Sequence, residues 1–347
     1  MKSKVIIGLL LFVCTSFLFI AASKKEADPF KPTYIKLEIP KGWPKPAKDI
    51  FASNPLTEEG FQLGKKLFYD GRLSKDGNFA CASCHQQFAA FATYDHDFSH
   101  GFNNSFTSRN APALFNLAWM PLLHWDGGIN HIEVQPLAPL TAHNEMAENI
   151  DSVLKKLRKD TAYPKMFKAA FGTTVINSQR MLKALAQFTG SIISSNSKYD
   201  KVQRGEAKFT PAEEKGYAFF KTNCAGCHAE PLFTDNSFRN NGLDLNPTIN
   251  DIGRMKITSD KKDSLKFKVP SLRNVAVTFP YMHDGRFNSI GQVLDHYTKG
   301  ININQPTLDT ALKKRIAISN TQKNELMYFL YTLTDTVLTK SPRYAPQ

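Results

Sequence analysis

The feature that most constrains this chain is a five-residue motif that occurs twice, Cys81-Ala82-Ser83-Cys84-His85 and Cys224-Ala225-Gly226-Cys227-His228. Two thiols separated by two residues can each form a thioether with one vinyl group of a haem, and the adjoining histidine then stands ready to ligate the iron. A single C-x-x-C-H is ambiguous, because C-x-x-C also serves zinc sites and redox disulfides. Two copies change the balance: every cysteine beyond the first twenty residues belongs to one of them, leaving none for a disulfide framework or a four-cysteine zinc site. The expected cofactors are therefore two covalent c-type haems, attached through Cys81, Cys84, Cys224 and Cys227, with His85 and His228 as iron ligands.

The amino end reads Met1-Lys2-Ser3-Lys4, an uncharged apolar run from Val5 to Ala22, then Lys24-Lys25-Glu26. This pattern makes residues 1–22 a secretory signal peptide, with cleavage after Ala22 or Ser23. The run is also about long enough to span a bilayer uncleaved, so an amino-terminal membrane anchor is the alternative. Cys14 sits inside it without a convincing lipobox. Export to the periplasm suits the haem motifs, since bacterial c-type haem attachment takes place outside the cytoplasm. Losing Lys2 and Lys4 with the signal lowers the formal charge from +13 to +11. With no nucleic-acid motif and no long basic run, nucleic acid is not an expected partner. The positive balance favours docking of an acidic redox protein, or is simply a solvated surface.

Residues 23–50 carry Pro29, Pro32, Pro40, Pro44 and Pro46, which interrupt any helix, and read as a linker or a strap laid over the fold. A helix starts at Thr57, whose hydroxyl can cap the amides ahead of Glu58 and Glu59. Its counterpart starts at Thr210, with Pro211 at the first helical position and Glu213 completing a capping box. Gly64-x-x-Leu67-Phe68 in the first matches Gly216-x-x-Phe219-Phe220 in the second. The echo continues: Arg109-Asn110-Ala111-Pro112 precedes Trp125-Asp126-Gly127, as Arg273-Asn274-Val275 precedes His283-Asp284-Gly285. Ile150, Val153, Leu154 and Leu157, then Met181, Leu182, Leu185, Phe188 and Ile192, fall on single helical faces, and a last helix starts near Ser319 with Gln322 at its third position. The expected fold is mainly α, with two cytochrome c-like domains related by internal duplication and one covalent haem in each. Their bounds are 51–203 and 204–338.

The ordered set CASCH, Ser99-His100-Gly101, Arg109-Asn110-Ala111-Pro112, Trp125-Asp126-Gly127, Gln135, Glu145-Met146, CAGCH, Val269-Pro270-Ser271-Leu272-Arg273-Asn274 and His283-Asp284-Gly285 resembles the bacterial di-haem cytochrome c peroxidases. It is similar also to their relative, the di-haem enzyme that matures the tryptophan tryptophylquinone of methylamine dehydrogenase. The resemblance covers roughly residues 50–335. It implies that the amino-terminal haem handles peroxide and the carboxy-terminal haem receives electrons.

Splitting a peroxide O–O bond needs an open iron face and a group that moves a proton from the inner to the outer oxygen. The resemblance gives that role to Glu145, which the residues alone would leave as a loop carboxylate, and lets Gln135 orient peroxide or water. Trp125 would lie between the haems as a relay, against the ordinary alternative of a core tryptophan. Gly128 stands where many relatives carry arginine, which puts one electrostatic contact in doubt. Asn110, with the carbonyls of Thr278 and Pro280, matches a calcium site whose hard oxygen donors suit that ion. His100 matches the residue that caps the peroxidatic iron in oxidised relatives; His96 is its rival, and an exposed loop histidine is the alternative for either. Tyr297 stands fourteen residues beyond His283, where peroxidases of the family place a methionine ligand of the second iron and the quinone-maturing enzyme a tyrosine. Met282 and His296 are its rivals.

The expected function is that of a periplasmic di-haem cytochrome c peroxidase, reducing hydrogen peroxide to water with electrons from a small redox protein, a cytochrome c or a cupredoxin. One alternative is oxidation of a protein partner through high-valent iron. From a different class comes a non-enzymatic di-haem electron carrier, against which Glu145, Gln135 and Trp125 together argue. A homodimer is compatible with the sequence.

Overall fold

Residues 30–346 are described by the computed structural model. The expected signal or anchor over 1–22, and the start of the proline-rich segment, lie outside the described residues. The chain is mainly helical: α1 (Glu58–Phe68), α2 (Cys81–Cys84), α3 (Leu137–Thr141), α4 (Ile150–Lys159), α5 (Ala162–Phe171), α6 (Ser178–Gly190), α7 (Lys198–Gln203), α8 (Pro211–Asn223), α9 (Met255–Thr258), α10 (Ile290–Asp295), α11 (Asn320–Tyr331) and α12 (Thr336–Lys340). Two short strands, β1 (Phe238–Arg239) and β2 (Phe267–Lys268), pair antiparallel with Phe238 opposite Lys268.

The helices start where their side chains can satisfy free amides. The Thr57 hydroxyl accepts from Gly60 N, and Thr210 with Glu213 and Ser319 with Gln322 form reciprocal capping boxes. Apolar faces then pack in pairs. Phe61, Leu67 and Phe68 of α1 bury against Leu185 and Phe188 of α6 in one cluster; Phe220 of α8 buries against Leu326, Phe329 and Leu330 of α11 in another. Each such buried side chain contributes roughly 1.5–3 kcal/mol by area.

The shared glycines mark where these pairs cross. A Cβ on Gly64 would collide with the Ala184 carbonyl of α6, and a Cβ on Gly216 with the Glu325 carbonyl of α11. Both helix pairs thus touch backbone to backbone at the same step of the repeated sequence. The repeat extends to the turns. Leu123 N donates to Ile129 O at 2.7 Å around Trp125-Asp126-Gly127, and Tyr281 N donates to Phe287 O at 2.7 Å around His283-Asp284-Gly285. Gly127 and Gly285 both sit at positive φ, +73° and +68°.

The proline-rich segment lies on the folded chain from Thr33 onward. Thr33 donates through its amide and its hydroxyl to the Glu59 carboxylate, both at 2.9 Å. Trp119 Nε1 donates to Pro44 O at 2.7 Å, while Trp43 meets the Trp119 ring edge-on and the guanidinium of fully buried Arg273 at 4.5 Å.

Alanine is ordinarily the better helix former by about 1 kcal/mol, so Gly216→Ala separates propensity from packing. With the Cβ aimed at backbone rather than at a flexible side chain, the variant should lose about 1–3 kcal/mol of stability in chemical denaturation. A gain would mean that α8 and α11 can part at no cost.

Candidate functional site

Both C-x-x-C-H motifs are built on the same helical turn. His85 N donates to Cys81 O at 3.0 Å and His228 N donates to Cys224 O at 2.9 Å. Residues spaced i, i+3 and i+4 on such a turn share one side, which groups the two thiols with the imidazole. His85 Nδ1 lies 3.0 Å from Phe91 O; His228 Nδ1 lies 3.2 Å from Phe233 O and 3.1 Å from Pro270 O. A carbonyl can only accept, so Nδ1 carries the proton and Nε2 keeps its lone pair, the arrangement that orients a ligating histidine. Burial lowers both imidazole pKa values, that of His85 to about 4, which holds them in the neutral, ligating form.

The thiols are unpaired, and burial pushes Cys81 and Cys224 up to about 12 and raises Cys84 and Cys227. Redox dithiols need the opposite shift. Among the described residues no three His, Cys, Asp or Glu side chains converge on one ion, which speaks against a zinc site. Both motifs instead open onto a single cavity of about 910 Å³, at the upper end of ordinary small-molecule sites (roughly 300–1,000 Å³). Two thiols, a carbonyl-oriented imidazole and a shared apolar chamber fit thioether-bound haem at each motif.

The catalytic candidates line that chamber. Gln135 precedes α3 and Glu145 follows it, in a turn where Glu145 N donates to Ala142 O at 3.0 Å. Gly101 explains the Ser-His-Gly element: Phe102 N donates to Glu145 O at 2.7 Å, and a Cβ on Gly101 would strike the Asn144 carbonyl. Burial raises the Glu145 pKa, so this carboxyl keeps a proton more readily than a surface glutamate. His100 borders the chamber but is exposed, with its ring 4.6 Å from that of Phe106 and 5.4 Å from that of His96.

Trp125 is clamped from both halves of the sequence. Its Nε1 donates to Asn110 O at 2.8 Å and its carbonyl accepts from Lys268 N at 2.7 Å. Beside it Arg109 donates to Asp126 at 2.6 Å and to both oxygens of Asp251 at 2.6 and 2.8 Å. Burial alone would raise the Asp251 carboxyl, but the hydrogen bonds and charge of Arg109 hold it below the usual carboxylate range. Around Gly128, where arginine was missing, Arg254 donates to the Asp126 carbonyl at 3.0 Å and lies 4.0 Å over the Phe238 ring.

Asn110 also ties the halves together. Its N donates to His283 O at 2.8 Å, and its Nδ2 donates to His96 O and Asp97 O at 3.3 and 3.2 Å. Thr278 and Pro280 line the same chamber, and their carbonyls accept no hydrogen bond from the described residues; free carbonyl oxygens are the donor type that suits a hard cation.

At the second motif, the candidate ligands meet on Asn241. Asn241 Nδ2 lies 3.5 Å from Met282 Sδ, and the Tyr297 hydroxyl meets the Asn241 side chain within electrostatic reach of Cys224 and Cys227. His296 Nε2 is taken by Asn241 O at 3.0 Å, and that ring does not line the chamber. Burial pushes the Tyr297 phenol up to about 12.

Sequence reasoning did not single out His124, Lys268, Arg254 or Asn241. His124 stands directly before Trp125, which was the available signal; the other three become visible only through contacts distant in sequence.

The profile of the di-haem cytochrome c peroxidase family matches residues 58–208. The chain is 36% identical over 287 residues to the methylamine utilization protein MauG of Methylorubrum extorquens, covering 81% of this chain and 80% of that protein. It is 29% identical over 309 residues to the cytochrome c551 peroxidase of Nitrosomonas europaea, covering 87% and 91%. Among solved structures, a MauG-like protein associated with microbial copper homeostasis superposes with a TM-score of 0.79 at 33% identity, covering 90% of this chain and 99% of that one. The diheme peroxidase BthA of Burkholderia thailandensis has the same fold, with a TM-score of 0.72 at 21% identity over 86% and 92% of the two chains.

The ion pairs of Arg109 generate a stability prediction. Arg109→Gln leaves two mostly buried carboxylates without their cation, and breaking a buried pair from one side costs about 3–5 kcal/mol. Chemical denaturation followed by circular dichroism should show a loss of that order. A loss below about 1 kcal/mol, the worth of an exposed pair, would mean that water replaces the guanidinium.

Proposed function

From the premise that this chain belongs to the di-haem cytochrome c peroxidase family, we propose that it is a periplasmic enzyme reducing hydrogen peroxide to two waters, with two protons and with two electrons from a small redox protein. It would consist of two duplicated cytochrome c-like domains with one haem each. The observation that carries this reading is the placement of Glu145 and Gln135 at the two ends of α3, both lining the chamber that Cys84 and His85 line. When bound, the haems supply the iron that accepts peroxide and the iron through which electrons arrive.

The residues divide the remaining work. Glu145, whose carboxyl burial makes a weaker acid than a surface glutamate, can take a proton from the inner oxygen and pass one to the departing outer oxygen. Gln135 orients peroxide through its amide. Trp125 is the electron relay, its indole held by Asn110 O and its backbone by Lys268 N. Asn110, Thr278 and Pro280 would hold a calcium ion at the junction, and His100 would cap the first iron in the oxidised resting form, leaving on reduction.

A second reading, oxidation of a protein partner, is favoured by Tyr297. With Met282 it faces Asn241 beside the second motif, and as an iron ligand its oxygen would lower a haem potential where methionine would raise it. The 36% identity to a methylamine utilization protein MauG supports the same reading.

Peroxide consumption with a reduced donor cytochrome, with and without pre-reduction of the enzyme, tests the proposal. The wild type should turn over, and Glu145→Gln should keep both haems and lose about 10²–10⁴-fold in kcat. Near-normal turnover in the variant would return Glu145 to an ordinary loop carboxylate. Peroxide use that needs a protein substrate and ignores the donor would favour the second reading.

A further inference from the structure

His124 has no role in the function derived so far, yet it is placed with unusual care. Its backbone sits at φ +66°, in a region side chains rarely adopt, immediately before clamped Trp125. Its ring lines the chamber, and its Nε2 lies 3.4 Å from Nε2 of Gln135. An amide nitrogen can only donate, so with the amide in this orientation the imidazole nitrogen facing it is the acceptor, which requires the tautomer protonated at Nδ1. The Gln135 amide is then committed by one end. With its NH₂ group turned to His124, its carbonyl oxygen is the end left for a bound ligand.

We propose that His124 is a positioning residue that sets which end of the Gln135 amide faces the peroxide. Hydrogen peroxide is a donor as well as an acceptor, and a carbonyl oxygen presented to it takes one of its O–H groups and leaves the other oxygen to the iron. A protonated His124 would present N–H to the amide, which must then reverse and offer NH₂ to the ligand. The groups that act on this ring are Asp126 in its own turn, Lys268 of β2, Arg109, and His85 at the end of α2. Burial lowers the His124 pKa, Asp126 opposes that, and Lys268 and Arg109 add to it, so the imidazole is neutral at neutral pH. The orientation therefore holds at neutral pH and reverses only in acid.

The inference rests on Gln135 lining the peroxide pocket, and the test separates the two claims. The probe is carbon monoxide on the reduced holoenzyme, whose infrared stretch rises when an acceptor oxygen faces it and falls when a donor N–H does. Wild type should show a high-frequency band that gives way to a lower one on acidification. His124→Phe should populate the lower band at neutral pH and lose the pH response. His124→Asn, whose side-chain oxygen can still accept from Gln135, should restore the high band without the pH response, and carries the test alone should the phenylalanine variant misfold. In turnover, His124→Phe should raise KM for peroxide about 2- to 10-fold, the worth of one neutral hydrogen bond, with kcat largely kept. A wild-type band in His124→Phe, together with a shifted band in Gln135→Leu, would overturn the role of His124. An unshifted band in Gln135→Leu would overturn the placement of Gln135 itself, and with it this part of the peroxidase reading.

Discussion

The centre of the molecule depends on one buried cation. Arg109 follows the first haem motif in sequence, and its guanidinium is shared between Asp126, in the turn that carries Trp125, and Asp251, in the second half of the chain. Its side chain is 19% exposed and each carboxylate 8%, so all three groups have surrendered most of their water. Such a pair adds little net stability, because desolvation offsets the attraction. Its consequence is geometric: a slip of one half against the other leaves at least one charge unpaired in the interior. Asn110 next to it extends the tie through its backbone, donating to His283 O and accepting from the indole of Trp125. The proposed relay is thus held by the same two consecutive residues that hold the halves in register.

The repeated architecture is put to unequal use. Trp125-Asp126-Gly127 and His283-Asp284-Gly285 occupy equivalent turns, each with an aspartate paired to an arginine and each with a glycine pressed against the other half, Gly127 on Phe238 and Arg254 and Gly285 on Asp97. In one turn the leading residue is a tryptophan with its indole satisfied. In the other it is a histidine stacked on Phe267 at 3.7 Å. The first motif has Glu145 and Gln135, which flank α3, for neighbours, whereas the second has Tyr297, Met282 and Asn241. Equivalent scaffolds with different neighbours suit one iron that meets peroxide and one that handles electrons, which is the division of labour proposed above.

Much of this was legible in the sequence because the signals are local. Caps at Thr57, Thr210 and Ser319 follow from short-range hydrogen bonding, and the paired motifs dictate the cofactor through covalent chemistry. Gly64 and Gly216 could be aligned as repeats, but their purpose, contact with the carbonyls of Ala184 and Glu325, lies more than one hundred residues away in each case. Asn241 carries no signal at all: its importance arises because Met282, His296 and Tyr297 all turn toward it. Gly128 looked like a lost electrostatic contact. The structure supplies positive charge to the same turn from Arg254, 126 residues further on, which no spacing argument could anticipate.

The central claim is that the two haem sites act as one unit through Trp125. Rapid freeze-quench electron paramagnetic resonance after one equivalent of hydrogen peroxide is added to the one-electron-reduced enzyme, the form that His100 would leave open, tests it directly, because there the first iron starts with a ferric signal and the second iron gains one on giving up its electron. In the peroxide-active wild type both signals should change at a single rate, and in Trp125→Phe the first site should still respond while the second lags. A wild type in which only one iron responds, or a variant in which both keep their rates, would contradict the account.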